Sequence, residues 1–121
     1  PPAASALKMC YAAYTKGSAA LLIAIRALSR SLGVEAALLQ EWEISQPDLA
    51  RRSGASARRT APKAWRFEGE MAEIAATFEQ AGLPEGFHEA AQEIYRRLAG
   101  FKDVDEADLD RVVTAVLTSE D

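Results

Sequence analysis

Cysteine and histidine are almost missing from this chain: among 121 residues there is one of each, Cys10 and His88. A disulfide scaffold is excluded, and so is a zinc site of cysteines and histidines, because neither residue has a second copy to work with. No metal is expected. No stretch approaches the roughly 18–20 uninterrupted apolar residues of a membrane span; the richest, residues 19–25, is far too short. No membrane association is expected. Valine and isoleucine are scarce, which leaves little material for a sheet. A glycine-rich phosphate loop and a Gly-x-Gly-x-x-Gly turn after a strand are both absent, so the chain holds no complete dinucleotide-binding unit. A lone thiol without a secretory signal points to a reducing, cytoplasmic setting. The chain opens on Pro1-Pro2 without an initiator methionine and reads as a piece of something larger.

What the chain has in quantity is alanine, 25 residues of the total, which biases it toward helix. Its length suits one domain over residues 1–121. Charge is unevenly placed. Lysine and arginine number 14 against 18 acids, for a net −4. Six of the bases (Arg51, Arg52, Arg58, Arg59, Lys63 and Arg66) lie in one acid-free segment. A nucleic-acid binder is basic over a whole face, so no nucleic-acid partner is expected. The 51–66 segment is a local anion site or a solvated basic loop, with nothing in the pattern to choose between them.

The spacing predicts one long helix over residues 4–32, free of proline, with apolar residues at Leu7, Cys10, Tyr11, Tyr14, Leu21, Leu22, Ile25, Leu28 and Leu32. Gly33 stands where a left-handed helix end favours glycine. A second helix is expected over 34–45, a short turn or helix over 48–52, and a mobile loop over 53–61, where glycine, serine and paired arginines cluster. Further helices are expected over 62–82, 83–100 and 106–117, the last capped by Asp105 or a neighbouring acid. The fold class is all-α, a helical bundle built around the long N-terminal helix. So long a helix, with Ala12, Ala13, Gly17, Ala20, Ala24 and Ala27 along its sides, exposes more packing surface than short helices cover. A homodimer is expected.

Few residues invite chemistry. His88 has no serine or cysteine placed beside it and reads as a solvated or core-edge histidine. The tryptophans and Phe67 read as packing residues. Lys8, Tyr11, Ala12 and Thr15 share one helical face. A lysine held among methyl groups loses hydration and becomes usable as a proton carrier. Spacing alone favours the alternative, a lysine whose ammonium reaches water along its own stem.

The stretch Ser5-Ala6-Leu7-Lys8-Met9-Cys10-Tyr11-Ala12-Ala13-Tyr14-Thr15-Lys16-Gly17, followed by Leu32-Gly33-Val34 and Leu38-Leu39, resembles the C-terminal domain of the β-hydroxyacid dehydrogenases. That superfamily includes 3-hydroxyisobutyrate and 6-phosphogluconate dehydrogenases. Arg66-Phe67-Glu68-Gly69-Glu70-Met71 and Glu93-Ile94-Tyr95-Arg96 look like its phosphogluconate-dehydrogenase-like branch, whose C-terminal domain has no assigned function. The resemblance implies a substrate-binding and dimerising domain that follows an N-terminal Rossmann domain, with NAD or NADP bound mainly by that partner and a small hydroxyacid as substrate. It implies that Lys8 exchanges a proton with the substrate hydroxyl. Tyr11 and Thr15 would line the substrate site and Glu70 would contribute to it, with Arg58, Arg59 and Arg66 as anion-binding candidates. Without the nucleotide domain the chain is not expected to turn over substrate. The sequence departs from the pattern in four places. The usual asparagine four residues after the lysine is Ala12, and the decarboxylating enzymes' glutamate is Thr15. A lysine–aspartate pair aligns with Gly69-Glu70, and Pro1-Pro2-Ala3-Ala4 replaces a glycine-rich approach. Decarboxylation of phosphogluconate is disfavoured on this basis. A non-catalytic helical binding module is the alternative.

Overall fold

A computed structural model describes residues 2–105 and 107–118. Within them the chain is all-helical: α1 (Ala3–Ser31), α2 (Glu35–Ser45), α3 (Leu49–Thr60), α4 (Ala64–Gln80), α5 (Gly86–Arg97) and α6 (Leu109–Leu117). Short 3₁₀ turns at Ala61–Lys63 and Ala99–Phe101 join α3 to α4 and follow α5. No described helix is long and apolar enough to cross a membrane. The helical bundle around a long first helix is as the alanine content and periodicity predict.

Two glycines end helices in the same way. Gly33 adopts φ +73°; its N–H donates to the Arg30 carbonyl (3.1 Å) and the Val34 N–H to that of Ser29 (2.9 Å). Gly82, at φ +80°, repeats the pattern after α4, with Leu83 donating to the Phe78 carbonyl at 2.9 Å. This paired closure satisfies the last carbonyls of each helix and needs a left-handed residue, hence glycine.

The 53–61 segment is helix, not loop. Its small residues form a stripe: Ser53, Gly54, Ala57, Thr60 and Ala61 are all buried. A β-carbon on Gly54 would lie 3.6 Å from the Leu109 side chain and 3.8 Å from the Arg26 guanidinium. Composition suggested flexibility, but close packing of backbones is what small residues at three-and-four spacing permit. The other boundaries shift by a few residues. Pro62 sits in the 3₁₀ turn, and α5 starts at Gly86 rather than at Leu83-Pro84. The expected start of the last helix at Glu106 lies outside the described residues. The helix begins at Leu109 and is capped by Asp108, not Asp105: the Asp108 carboxylate accepts from the Asp110 N–H at 3.2 Å.

The core gathers Ile23, Met71, Ile74, Tyr95, Leu98, Val112 and Val113, all nearly inaccessible, with alanines from α1, α3 and α4 between them. Phe67 and Tyr95 meet edge to face, 5.5 Å between centroids. His88 belongs to this core. Its Nε2–H donates to the Ala13 carbonyl (3.0 Å), its ring lies 4.8 Å from that of Phe78, and Gly17 faces it without a side chain. An ionic cluster centred on buried Arg26 ties the far half of α1 to α2, α3 and α6. Arg26, 5% exposed, donates to Glu35 (3.1 and 3.2 Å), to Ser53 Oγ (2.8 Å) and to the Ala50 carbonyl (3.3 Å). Arg30 also binds Glu35, and reaches Asp110 at 2.8 Å. The two arginines, Arg30 above all, hold the Glu35 carboxyl below the usual range. The face of α1 that turns inward is therefore Ala20, Ile23, Arg26 and Ala27, not the large apolar residues that marked the helix in sequence. Of those, Leu7, Tyr11, Tyr14, Leu21, Leu28 and Leu32 are exposed, while Leu22 and Ile25 are half-buried.

Candidate functional site

Where α1, α3, α4 and α5 converge they leave a cavity of about 210 Å³ open to one side. Its floor is aromatic: Phe67 from α4 and Tyr95 from α5. The Tyr95 hydroxyl donates to the Lys16 carbonyl at 2.6 Å. Burial, reinforced by the nearby Glu70 charge, pushes the Tyr95 phenol well above its ordinary value, so it stays neutral. The walls are cationic. The Lys16 ammonium lies 4.5 Å above the Phe67 ring and is ion-paired with Glu70. Arg59 from α3 and Lys63 from the turn that follows also line it, both exposed. Neither has an acidic partner among the described residues. The hydroxyls of Thr15, Ser56 and Thr60 complete the lining. None of the three makes a side-chain hydrogen bond to another described residue.

Three cations against one carboxylate leave this small space with a net charge of about +2 and three idle hydroxyl donors. Idle donors and unpaired cations facing a common space are the chemistry that receives an anion. No cluster among the described residues suits a metal ion.

Of the residues expected from sequence, the cavity brings together Thr15 and Arg59, with Glu70 at its edge through Lys16. Lys8 is exposed on α1, seven residues before Thr15, or about 10 Å along the axis at ~1.5 Å per residue. Tyr11 is 69% exposed and lies outside the cavity lining, as do Arg58 and Arg66. The Arg66 guanidinium lies 5.6 Å from the Phe67 centroid. Lys63 belongs to the basic 51–66 segment, whereas Lys16, Ser56, Thr60 and Tyr95 carried no expected role from sequence. A signal for two of them existed. Ser56, Arg59, Thr60 and Lys63 fall at i, i+3, i+4 and i+7, one face of a helix, but a segment read as loop has no faces.

Residues 29–98 match the family described as "Domain of unknown function (DUF1932)". That family is known as the C-terminal region of 6-phosphogluconate dehydrogenase-like proteins. The matched stretch includes Arg58, Arg59, Arg66 and Glu70 and starts after Lys8, Tyr11 and Thr15. No curated protein and no solved structure matches the chain.

Proposed function

The chain belongs to the DUF1932 family, and from that premise we propose that it is the substrate-binding and self-associating domain of an NAD(P)-dependent β-hydroxyacid dehydrogenase-like oxidoreductase. The observation that carries the reading is the cationic, hydroxyl-lined cavity on the same helix as Lys8. In this reading residues 1–121 form one domain that works with an N-terminal Rossmann domain. The described chain contains no strand, and so no strand–loop–helix unit, on which a dinucleotide would sit. In this reading NAD or NADP is the partner domain's ligand, and supplies the hydride acceptor or donor.

This chain's part is to hold the substrate and move one proton. Arg59 and Lys63 bind the substrate's anionic group, with Thr15, Ser56 and Thr60 donating to its oxygens. The Lys16–Glu70 pair orients the Lys16 ammonium over Phe67 at the cavity edge. Lys8, exposed on its own, becomes a proton carrier when the nucleotide-binding domain covers the face of α1 shared by Ala4, Lys8 and Thr15; that face has no cover at Ala4 or Lys8 from this chain. A neutral lysine there accepts the substrate hydroxyl proton as hydride leaves the same carbon. A substrate that touches both Lys8 and the cavity must be extended, given their separation.

The competing reading is a binding module that keeps the scaffold without the chemistry. Ala12 and Gly69, the positions where the resemblance places an asparagine and a lysine, favour it.

Titrating the chain with inorganic phosphate, glycolate and 3-phosphoglycerate by calorimetry tests the anion site. Each charge-assisted hydrogen bond contributes about 1.5–3 kcal/mol, so Arg59→Ala and Lys63→Ala are each expected to weaken binding at least ~10-fold. Lys8→Ala should leave it unchanged. No binding of any of the three anions, or equal binding by all variants, removes the cavity from the function.

A further inference from the structure

Half of the large exposed apolar side chains among the described residues lie on one line along α1 and its C-cap. Leu7, Tyr11, Tyr14, Leu21, Leu28 and Leu32 are 71, 69, 73, 59, 56 and 65% exposed. With the half-buried Ser18 and Ile25 they make an unbroken 4-3-4-3 series: 7, 11, 14, 18, 21, 25, 28, 32. This is the heptad spacing of a coiled-coil seam, held over more than three repeats on the outer face of a bundle. No seam residue is charged. Every charged side chain of α1 other than Lys8 is turned to this chain's own partners: Lys16 to Glu70, Arg26 to Glu35, Arg30 to Glu35 and Asp110.

We infer that this seam is the contact surface for a second copy of the chain, docked antiparallel across a two-fold axis that passes α1 between Ala19 and Ala20. The inference deepens the self-association in the function proposed above and does not depend on the chemistry of Lys8.

Three observations select that occupant and that direction. The first is area. The six exposed side chains offer roughly 800 Å² per chain, which is the share each partner contributes to a standard stable interface. The second is self-complementarity, which a two-fold contact requires. Antiparallel docking about that axis sets Leu7 opposite the partner's Leu32, Tyr11 opposite the partner's Leu28, and Tyr14 opposite the partner's Ile25. Ser18, the one polar member, falls beside the axis against the partner's Leu21. Every other pair is apolar on both sides. The third is charge. Parallel docking would align the two helix dipoles side by side. Antiparallel docking opposes them, setting the N-terminal end of each α1 beside the C-terminal end of the other.

Sedimentation equilibrium and cross-linking test the arrangement together. The wild-type chain is expected to be a dimer at 10 µM. Tyr14→Glu and Leu28→Glu should each weaken association at least 100-fold while leaving the helical spectrum intact, because both residues are exposed in the single chain. In a Cys10→Ser background, Leu7→Cys combined with Leu32→Cys should give a covalent dimer on exposure to oxidised glutathione. Within one helix the two positions are about 37 Å apart, at ~1.5 Å per residue, so they cannot close on each other. A monomeric wild type overturns both this inference and the self-association it deepens. A dimer that ignores the two glutamates, or that does not cross-link at 7 and 32, overturns the seam alone.

Discussion

Removing the Glu35 carboxylate should cost this fold more than removing the arginine it neutralises. Arg26 is 5% exposed, and its other acceptors are the neutral Ser53 Oγ and the Ala50 carbonyl. Glu35→Ala strands a guanidinium in the core, and breaking a buried pair from one side costs about 3–5 kcal/mol. Arg30 loses the same partner but keeps Asp110 and solvent, so it adds little. Arg26→Met behaves differently. It preserves most of the stem's volume and takes the charge away, while Glu35 stays paired with Arg30. The loss is then a few hydrogen bonds, about 1–2 kcal/mol. The double variant should be more stable than Glu35→Ala alone, because no charge is left without a partner. Urea unfolding followed by circular dichroism at one fixed protein concentration measures all four proteins. A Glu35→Ala cost below about 1 kcal/mol, or costs that simply add in the double variant, would refute the reasoning.

Other outcomes follow from the same geometry. Gly17→Ala places a methyl 2.8 Å from His88 Nε2; it should destabilise by about 1–3 kcal/mol as an overpacked core does, and His88→Ala in the same chain should recover part of that in thermal melts. Stability should also depend on pH at both ends. Glu35 is held below its ordinary 4.5 in the folded state, so its contribution is complete above that value and is lost as pH falls; a Glu35→Gln variant should show a flatter acid limb. Tyr95 is displaced upward from 10.0, so its contribution is complete below pH 10 and is lost as pH rises above it; Tyr95→Phe should flatten the alkaline limb of the same titration.

The all-helical bundle was legible because alanine content, glycine helix ends and three-and-four spacing all pointed one way. Gly33 and Gly82 both end helices where the sequence placed an end. The misreading of 53–61 has a physical origin: a stripe of small residues looks like a flexible loop until the helices it lets approach are known. The orientation of α1 was hidden for a related reason. Its most apolar residues define the period but not the side that faces this chain's core, and alanines took that side. At the candidate site, Thr15 was visible on the face it shares with Lys8, and Arg59 and Lys63 in the acid-free basic segment. Thr60 was missed with the helix that carries it, and Lys16 because its place in the cavity depends on how α3 crosses α1.

The proton-carrying role proposed for Lys8 is tested most directly by the rate of hydroxyacid-dependent nicotinamide reduction when the chain is joined to the N-terminal nucleotide-binding domain that the proposal requires. Wild type, Lys8→Ala and Lys8→Arg would be compared on the hydroxyacid that wild type oxidises fastest. Loss of a general acid–base group slows chemistry by about 10²–10⁴-fold, and that fall in kcat is expected for Lys8→Ala with the fold intact. Lys8→Arg should rescue poorly, since a guanidinium stays protonated and cannot accept the hydroxyl proton. No hydroxyacid oxidised by wild type, or turnover undiminished in Lys8→Ala, would contradict the account and leave the binding module in its place.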